Sequence, residues 1–199
     1  MDKMTVKKLV YERKWTDQQI ADFFNVTRTH IVHFRKANGI KREATTGRKG
    51  ELLAIEKLKG KGYQVKDMNL IDKTVPYDLL VNDELRIEVK TASLLGKDKS
   101  YRFLLTNPPR SRCVESETRT ILKSGRSLKH YEKTCDIMMF VGITEELVWI
   151  MPSKVMESRI GTVTLNTRRS RYIDYLDNFK EIEKALELSA NLKQDFNKY

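Results

Sequence analysis

The sequence predicts an α/β protein in two parts: a small all-α module over residues 1–43, then a mixed-sheet α/β core over residues 47–199. Three observations carry this. Residues 1–43 show helical spacing with capping signals and no alternating apolar run. From residue 63 onward, short apolar runs of strand length are interspersed with helical stretches. Between the two parts, Ala44-Thr45-Thr46-Gly47 reads as a linker. With 199 residues, 40% of them apolar, the chain can bury one medium core and one miniature one.

The elements follow in order. Residues 5–14 have helical spacing through Val6, Leu9 and Val10. Thr16, with Gln19 three residues on, is a capping box for a helix to about Phe24. Asn25-Val26 makes a short turn, since Asn tolerates the left-handed conformation. Thr27 caps a third helix that Asn38-Gly39 ends. Ala21 is small enough to let helices approach, and Ile20, Phe24, Val26, Ile31 and Phe34 form the miniature core. A helix over 48–59 is closed by Gly60 and Gly62, with Glu51, Ile55 and Leu58 on one inward stripe. Strands are predicted over 63–68, 77–81, 85–91 and 101–106. Residues 107–127 read as a long basic loop and 127–133 as a helix. Buried strands over 136–143 and 147–151, a strand over 160–166 and an amphipathic helix over 178–192 complete the chain. That last helix carries Phe179, Ile182, Leu186 and Ser189 on one stripe, for core packing or, second, a dimer contact.

Chemistry concentrates between residues 51 and 90. Glu88 and Lys90 are two apart on a strand and share a face. A two-residue loop before that strand would set Asp78 opposite Ile87, on the wrong face. A three-residue loop, Asn82-Asp83-Glu84, sets Asp78 opposite Glu88. Crowded carboxylates repel unless a cation neutralises them, and oxygen donors suit Mg²⁺. A lysine beside such a site steadies developing negative charge. This is equipment for metal-assisted hydrolysis of a phosphodiester.

Pro76-Tyr77-Asp78, then Glu88-Val89-Lys90 after a gap, resembles the PD-(D/E)XK nuclease superfamily, with one residue inserted between Pro and Asp. Gly50-Glu51 on the preceding helix matches the extra acidic residue of archaeal Holliday junction resolvases, which share that core. The resemblance implies a restriction-endonuclease-like core in which Asp78 and Glu88 bind Mg²⁺ (Mn²⁺ can substitute), with the Val89 carbonyl as a third ligand. It implies that Glu51 completes or supports the metal site, and that Lys90 orients or deprotonates the attacking water. Glu51, Asp78, Glu88 and Lys90 are thus the catalytic candidates. The order Tyr131, Asp136, an apolar strand, then Val148-Trp149-Ile150-Met151-Pro152-Ser153 resembles the second half of such a core, in particular a family that includes a cyanobacterial intron-encoded homing endonuclease.

Residues 20–34 resemble a helix-turn-helix of the DNA-binding kind. The resemblance implies that Arg28, Thr29, His30, His33 and Lys36 face the major groove, with Lys41 and Arg42 close behind. His30 and His33 lack a Cys or carboxylate partner at metal-binding spacing, so they face solvent or DNA.

Charge agrees with a polyanion partner: the formal net charge is +11 and the pI about 9.6. Residues 1–50 carry 12 Lys/Arg against 5 Asp/Glu, and residues 97–133 carry 10 against 4. In the second segment Arg110, Arg112, Arg119, Lys123 and Arg126 are candidates to grip phosphates. Cys113 and Cys135 have neither disulfide-framework nor metal spacing, and Cys135 reads as a core thiol. No apolar run approaches the ~18 residues of a membrane span, and no signal-peptide pattern opens the chain. The expectation is a cytoplasmic, Mg²⁺-dependent endonuclease of bacterial, archaeal or phage origin. It acts on double-stranded DNA, cuts at specific sites, and works as a homodimer or higher oligomer because two strands take two active sites. A branched-DNA resolvase and a non-catalytic DNA-binding regulator are the alternatives.

Overall fold

In the computed structural model, which describes residues 1–95, 99–109, 113–156 and 161–196 (without the side chains of 192–196), the chain divides into two compact units, Met1–Ala44 and Thr45–Tyr199. In the first, Asp2 caps helix α1 (Lys3–Tyr11) by accepting the Thr5 N–H. Thr16 and Gln19 form the reciprocal capping box of α2 (Asp17–Phe24), satisfying two N–H groups that a helix start leaves orphaned. Asn25 ends α2 in the left-handed region (φ 51°), and Thr27 caps α3 (Arg28–Ala37). Val6, Leu9, Val10, Ile20, Ala21, Ile31 and Ile40 fill the centre, with Trp15, Phe24, Val26 and Phe34 at its edges.

A buried ion pair braces this unit. Arg35 donates to both oxygens of Asp17 (2.7 and 2.8 Å) and to the Ile40 carbonyl (2.9 Å). Arg42 adds a bond to Asp17 (2.8 Å) and one to the Trp15 carbonyl (2.7 Å). Burial alone would raise the Asp17 carboxyl, but its hydrogen bonds to Arg35 and Arg42 outweigh that and hold it at about 2.

The second unit begins with α4 (Thr46–Gly60), capped by Thr45. There follow β1 (Val65–Asp67), α5 (Met68–Ile71), β2 (Leu79–Val81), β3 (Leu85–Ala92), β4 (Leu94–Leu95) and β5 (Ser100–Leu104). Then come β6 (Thr106–Asn107), β7 (Arg119–Ile121), β8 (Ser127–Lys129), α6 (Tyr131–Thr134), β9 (Ile137–Gly142), β10 (Leu147–Pro152), β11 (Thr162–Leu165) and α7 (Lys180–Phe196). The main sheet runs β1-β2-β3-β9-β10; β3 and β9 are parallel and the other neighbours antiparallel. This is a mixed-sheet α/β fold.

Alternation along β3 divides its side chains between two cores. Leu85, Ile87 and Val89 join Ile137, Met139 and Val141 beneath Ala54 and Leu58 of α4 and Ile182 of α7. The opposite face, with Met138, Phe140, Trp149 and Met151, packs on Tyr101, Phe103, Val163 and Leu165 of the small sheet β11-β5-β4. Helix α4 approaches β3 closely at Gly50, where an added Cβ would lie 1.9 Å from Thr91 Oγ1. Only glycine permits that approach.

Three expectations need correction. Residues 107–127 are not one long loop: they contain β7, which pairs with β8, and β8 pairs in turn with β6. Residues 127–133 are not a helix, because Ser127–Lys129 is strand β8 and only Tyr131–Thr134 is helical. Cross-strand pairing, invisible in so short a run, decides both. Finally, the inward stripe of α4 is Gly50, Ala54 and Leu58, with Glu51 at its border. Cys135 is a buried thiol, as expected, and burial pushes it up to about 12.

Candidate active site

Strands β2 and β3 are joined by the three residues Asn82, Asp83 and Glu84, and Leu79, Leu80 and Val81 pair with Ile87, Arg86 and Leu85. Asn82 and Asp83 both take positive φ (51° and 60°), the conformation such a tight connection requires and that Asn and Asp tolerate. Asp78 lies one residue before this ladder, and both it and Glu88 line the same cleft. At Asp78 the regular pairing breaks: the Asp78 N–H donates to Ile87 O (3.0 Å), and the Asp78 carboxylate accepts the Val89 N–H (2.8 Å). A side chain has replaced the backbone acceptor, which fixes the carboxylate against β3.

The two carboxylates have opposite electrostatic settings. Burial, together with the charge of Glu88, pushes Asp78 up to about 6, despite the Val89 N–H and Lys90. Glu88 is buried (6% exposed) but held ionised. Its burial opposes the charge, and Lys90 and Lys129 outweigh it, so its carboxyl lies below the usual range. Lys90 Nζ pairs with Glu88 Oε1, and Lys129 Nζ lies 2.5 Å from Glu88 Oε2. Both ammonium groups also lie over the Tyr131 ring, 5.3 and 5.6 Å from its centroid. For Lys90, burial would lower the ammonium pKa, but Glu88 and the Tyr131 hydroxyl raise it above the ordinary lysine range.

Glu51 enters from α4. Its Oε2 accepts from Arg48 Nη1 (2.8 Å) and Asn69 Nδ2 (3.2 Å). The same Asn69 amide reaches Asp78 Oδ1 at 3.4 Å, so Asn69 links the helix carboxylate to the sheet carboxylate. Arg48 also pairs with Asp67 at the end of β1, and Asp67 Oδ1 is buried without a hydrogen bond. Among the described residues, no three His, Cys, Asp or Glu side chains converge closely enough to hold a metal by themselves. The oxygen donors available to a cation are the carboxylates of Asp78 and Glu88 and nearby main-chain carbonyls. Burial and the Glu88 charge both disfavour the Asp78 anion, so the pair is a donor set that an added cation would stabilise.

A polar cleft of about 210 Å³ opens over this cluster, lined by Asn69, Lys73, Asp78, Glu88, Arg119 and Lys129 among others. Of the basic candidates in the second unit, Arg119 therefore lies at the site. Arg126 is tied to Thr106 through its Oγ1 (2.8 Å) and carbonyl (3.2 Å), and Lys123 is exposed on the turn between β7 and β8. Arg110 and Arg112 lie outside the described residues. In the first unit Arg28, Thr29, His30, His33 and Lys36 are all exposed on α3, and Lys41 is exposed after it. Arg42 differs: its guanidinium is engaged with Asp17 and Trp15.

Three residues of the cluster were not expected from the sequence, Arg48, Asn69 and Lys129, and Tyr131 was singled out only as part of a core pattern. Arg48 carried a usable signal, since it sits one turn before Glu51 at helical spacing. Lys129 carried none, because it arrives from a strand 41 residues after its partner.

The fold is similar to that of a solved structure. The structure titled as that of a bacterial homing endonuclease, I-Ssp6803I, aligns over 73% of this chain and 95% of its own, with a TM-score of 0.57 and 16% identity. At that identity the likeness is one of fold. No family model and no curated protein matches the sequence.

Proposed function

We propose that this chain is a metal-dependent DNA endonuclease whose N-terminal unit delivers a PD-(D/E)XK-type centre to a specific duplex site. The observation that carries this reading is the carboxylates of Asp78 and Glu88 together in one cleft, with Asp78 held against β3 by the Val89 N–H and with Arg119 and Lys129 in the lining. The fold shared with a homing endonuclease supports it. So does the exposed polar and basic face of α3 in a unit built as three short capped helices.

In this reading Asp78 and Glu88 hold Mg²⁺ (or Mn²⁺), assisted by the Val89 carbonyl and supported by Glu51. The ion would polarise the scissile phosphate and lower the pKa of a bound water. Asn69 keeps the Glu51 and Asp78 carboxylates in fixed relation. Lys90, with its raised pKa, stays protonated at neutral pH, so it orients the attacking water and stabilises the charge that builds on the phosphoryl oxygens. That direction favours the first of the two roles the resemblance implied. Arg119 and Lys73 draw the phosphate backbone into the cleft. In the N-terminal unit Arg28, Thr29, His30, His33 and Lys36 read base edges, with Lys41 on the backbone. Arg42 serves the unit's own stability.

The exposed face of α3 favours a site-reading enzyme over a branched-DNA resolvase, which needs no base-reading helix. Incubation of the purified protein with linear duplex, a four-way junction and genomic DNA tests the assignment. Discrete fragments from genomic DNA support it. Junction-only cutting would reassign the protein as a resolvase, and tight binding without cutting would make it a regulator.

A further inference from the structure

Lys129 is in an unusual position for a surface-strand lysine. Its side chain is 11% exposed, and its ammonium bonds Glu88 Oε2 and the Pro76 carbonyl while lying over Tyr131. It shares Glu88 with Lys90, so one buried carboxylate serves two cations. Directly opposite Lys129 on the neighbouring strand stands Arg119, and both line the cleft. Like charges placed opposite each other on a sheet are destabilising unless an anion lies between or beside them. Here Glu88 is that anion for Lys129, while Arg119 reaches only the Ser127 hydroxyl (3.3 Å) among the hydrogen-bond partners described. Besides Lys90 on the other oxygen of Glu88, three cations line the cleft that an incoming phosphate would enter: Lys129, Arg119 and Lys73.

We propose that Lys129 is an exchangeable cation of the reaction centre: it neutralises Glu88 while the site holds no metal, and passes to the scissile phosphate when Glu88 turns to a divalent ion. This rests on the nuclease reading above. The physical argument is one of competition. Glu88 Oε2 cannot give the same lone pair to an ammonium at 2.5 Å and to a hard dication, so each weakens the other's hold. Once displaced, Lys129 stands in a cleft beside Arg119, and the two together present a site for one phosphate group. No bond is made or broken in this exchange, and no proton moves.

The test uses full-length protein and reads metal binding without DNA. Mn²⁺ is titrated and the bound fraction followed by electron paramagnetic resonance for wild type, Lys129→Met, Lys129→Arg and Glu88→Gln, with thermal melting of each. Removing a competing cation should tighten Mn²⁺ binding by about fivefold or more in Lys129→Met. At saturating metal the same variant should cleave duplex DNA at least about tenfold more slowly, and Lys129→Arg should recover part of that loss. Should Lys129→Met fail to fold, Lys129→Gln takes its place, with the same expectations. Wild type that binds Mn²⁺ through Glu88, with no tighter binding in the folded Lys129 variant, overturns the exchange and leaves the nuclease reading standing. Absence of Mn²⁺ binding in wild type and in every Lys129 variant overturns both.

Discussion

Asp78 is locked to Val89 across a hairpin whose connection is three residues long: its carboxylate accepts the Val89 N–H at 2.8 Å, while its own N–H donates to Ile87 O at 3.0 Å. The arrangement depends on the turn. Removing one residue from the connection leaves two residues between Val81 and Leu85, so the same pairs must close over a turn that has lost one of its two positive-φ residues and the Glu84 N–H to Val81 O bond that spans it. Deletion of Asp83 should therefore lower both the cleavage rate and the melting temperature. Substituting Asp83→Gly keeps the loop length and suits the positive φ (60°), so it should leave both nearly unchanged. Melting curves and a cleavage assay on the two variants check this.

Metal-free stability should depend on pH through Asp78. Its pKa rises on folding from 3.8 to about 6, so folding binds a proton more tightly. The associated stability is present below pH 4 and is lost as pH climbs through 6, at most about 3 kcal/mol. Glu88 has the opposite sign: its depressed pKa contributes stability that is lost only on acidification below the ordinary glutamate range. In chelator-treated protein, Asp78→Asn should gain stability on wild type between pH 4 and 6, measured by denaturant unfolding at each pH. A gap that does not change with pH would refute the assignment.

Gly50 is the point where α4 meets β3, and a methyl group there collides with Thr91. Gly50→Ala should cost about 1–3 kcal/mol, as overpacking of a closed contact does. Because Glu51 follows directly, the variant should also lose activity beyond what its stability explains. Gly50→Ala combined with Thr91→Ala, which removes both the Thr91 hydroxyl and its methyl, should recover part of both losses.

Asp17 and Arg35 form a buried pair in the N-terminal unit, and removing one partner strands the other. Asp17→Ala should destabilise that unit by about 3–5 kcal/mol. Hydrogen exchange should accelerate across residues 1–44, while that of β3 and β9 stays as in wild type. The Asp17 pKa falls from 3.8 to about 2 on folding, so its contribution is present above pH 4 and is lost as pH falls through 2.

On α3, Arg28 and Lys36 are exposed without being tied into the unit's core. If α3 reads DNA, Arg28→Ala should weaken binding to the cognate site by about 1–3 kcal/mol and relax sequence preference. A contact to phosphate alone would instead weaken all sequences equally and reduce the salt slope by about one. Binding isotherms at several salt concentrations separate the two.

How much of this was legible in the sequence follows from the range of the interactions. The caps at Thr16, Thr27 and Thr45 involve a donor and acceptor three residues apart, and the three-residue connection between β2 and β3 follows from counting. The helices of the first unit and the central hairpin were thus readable. Lys129 reaches Glu88 only after β8 has paired with β6 and β7, three strands of two or three residues whose own sequence does not call for a sheet. The same non-local pairing hid the strands within residues 107–129. The Asp17 ion pair was not legible because its partners, Arg35 and Arg42, meet it only once α2 and α3 pack. Glu51 was placed on the inward stripe of α4 by periodicity, but close approach at Gly50 rotates that stripe by one residue.

The central claim is that Asp78, Glu88 and Lys90 form one metal-dependent cutting centre. The most direct measurement is the single-turnover rate of duplex cleavage as a function of Mg²⁺ for wild type, Asp78→Asn and Lys90→Ala, with EDTA as control. Wild type should cleave only with Mg²⁺, Asp78→Asn should lose cleavage at every Mg²⁺ concentration, and Lys90→Ala should fall by about 10²–10³ at saturating metal. Cleavage that persists in EDTA, or proceeds at wild-type rate in Lys90→Ala, would contradict the account.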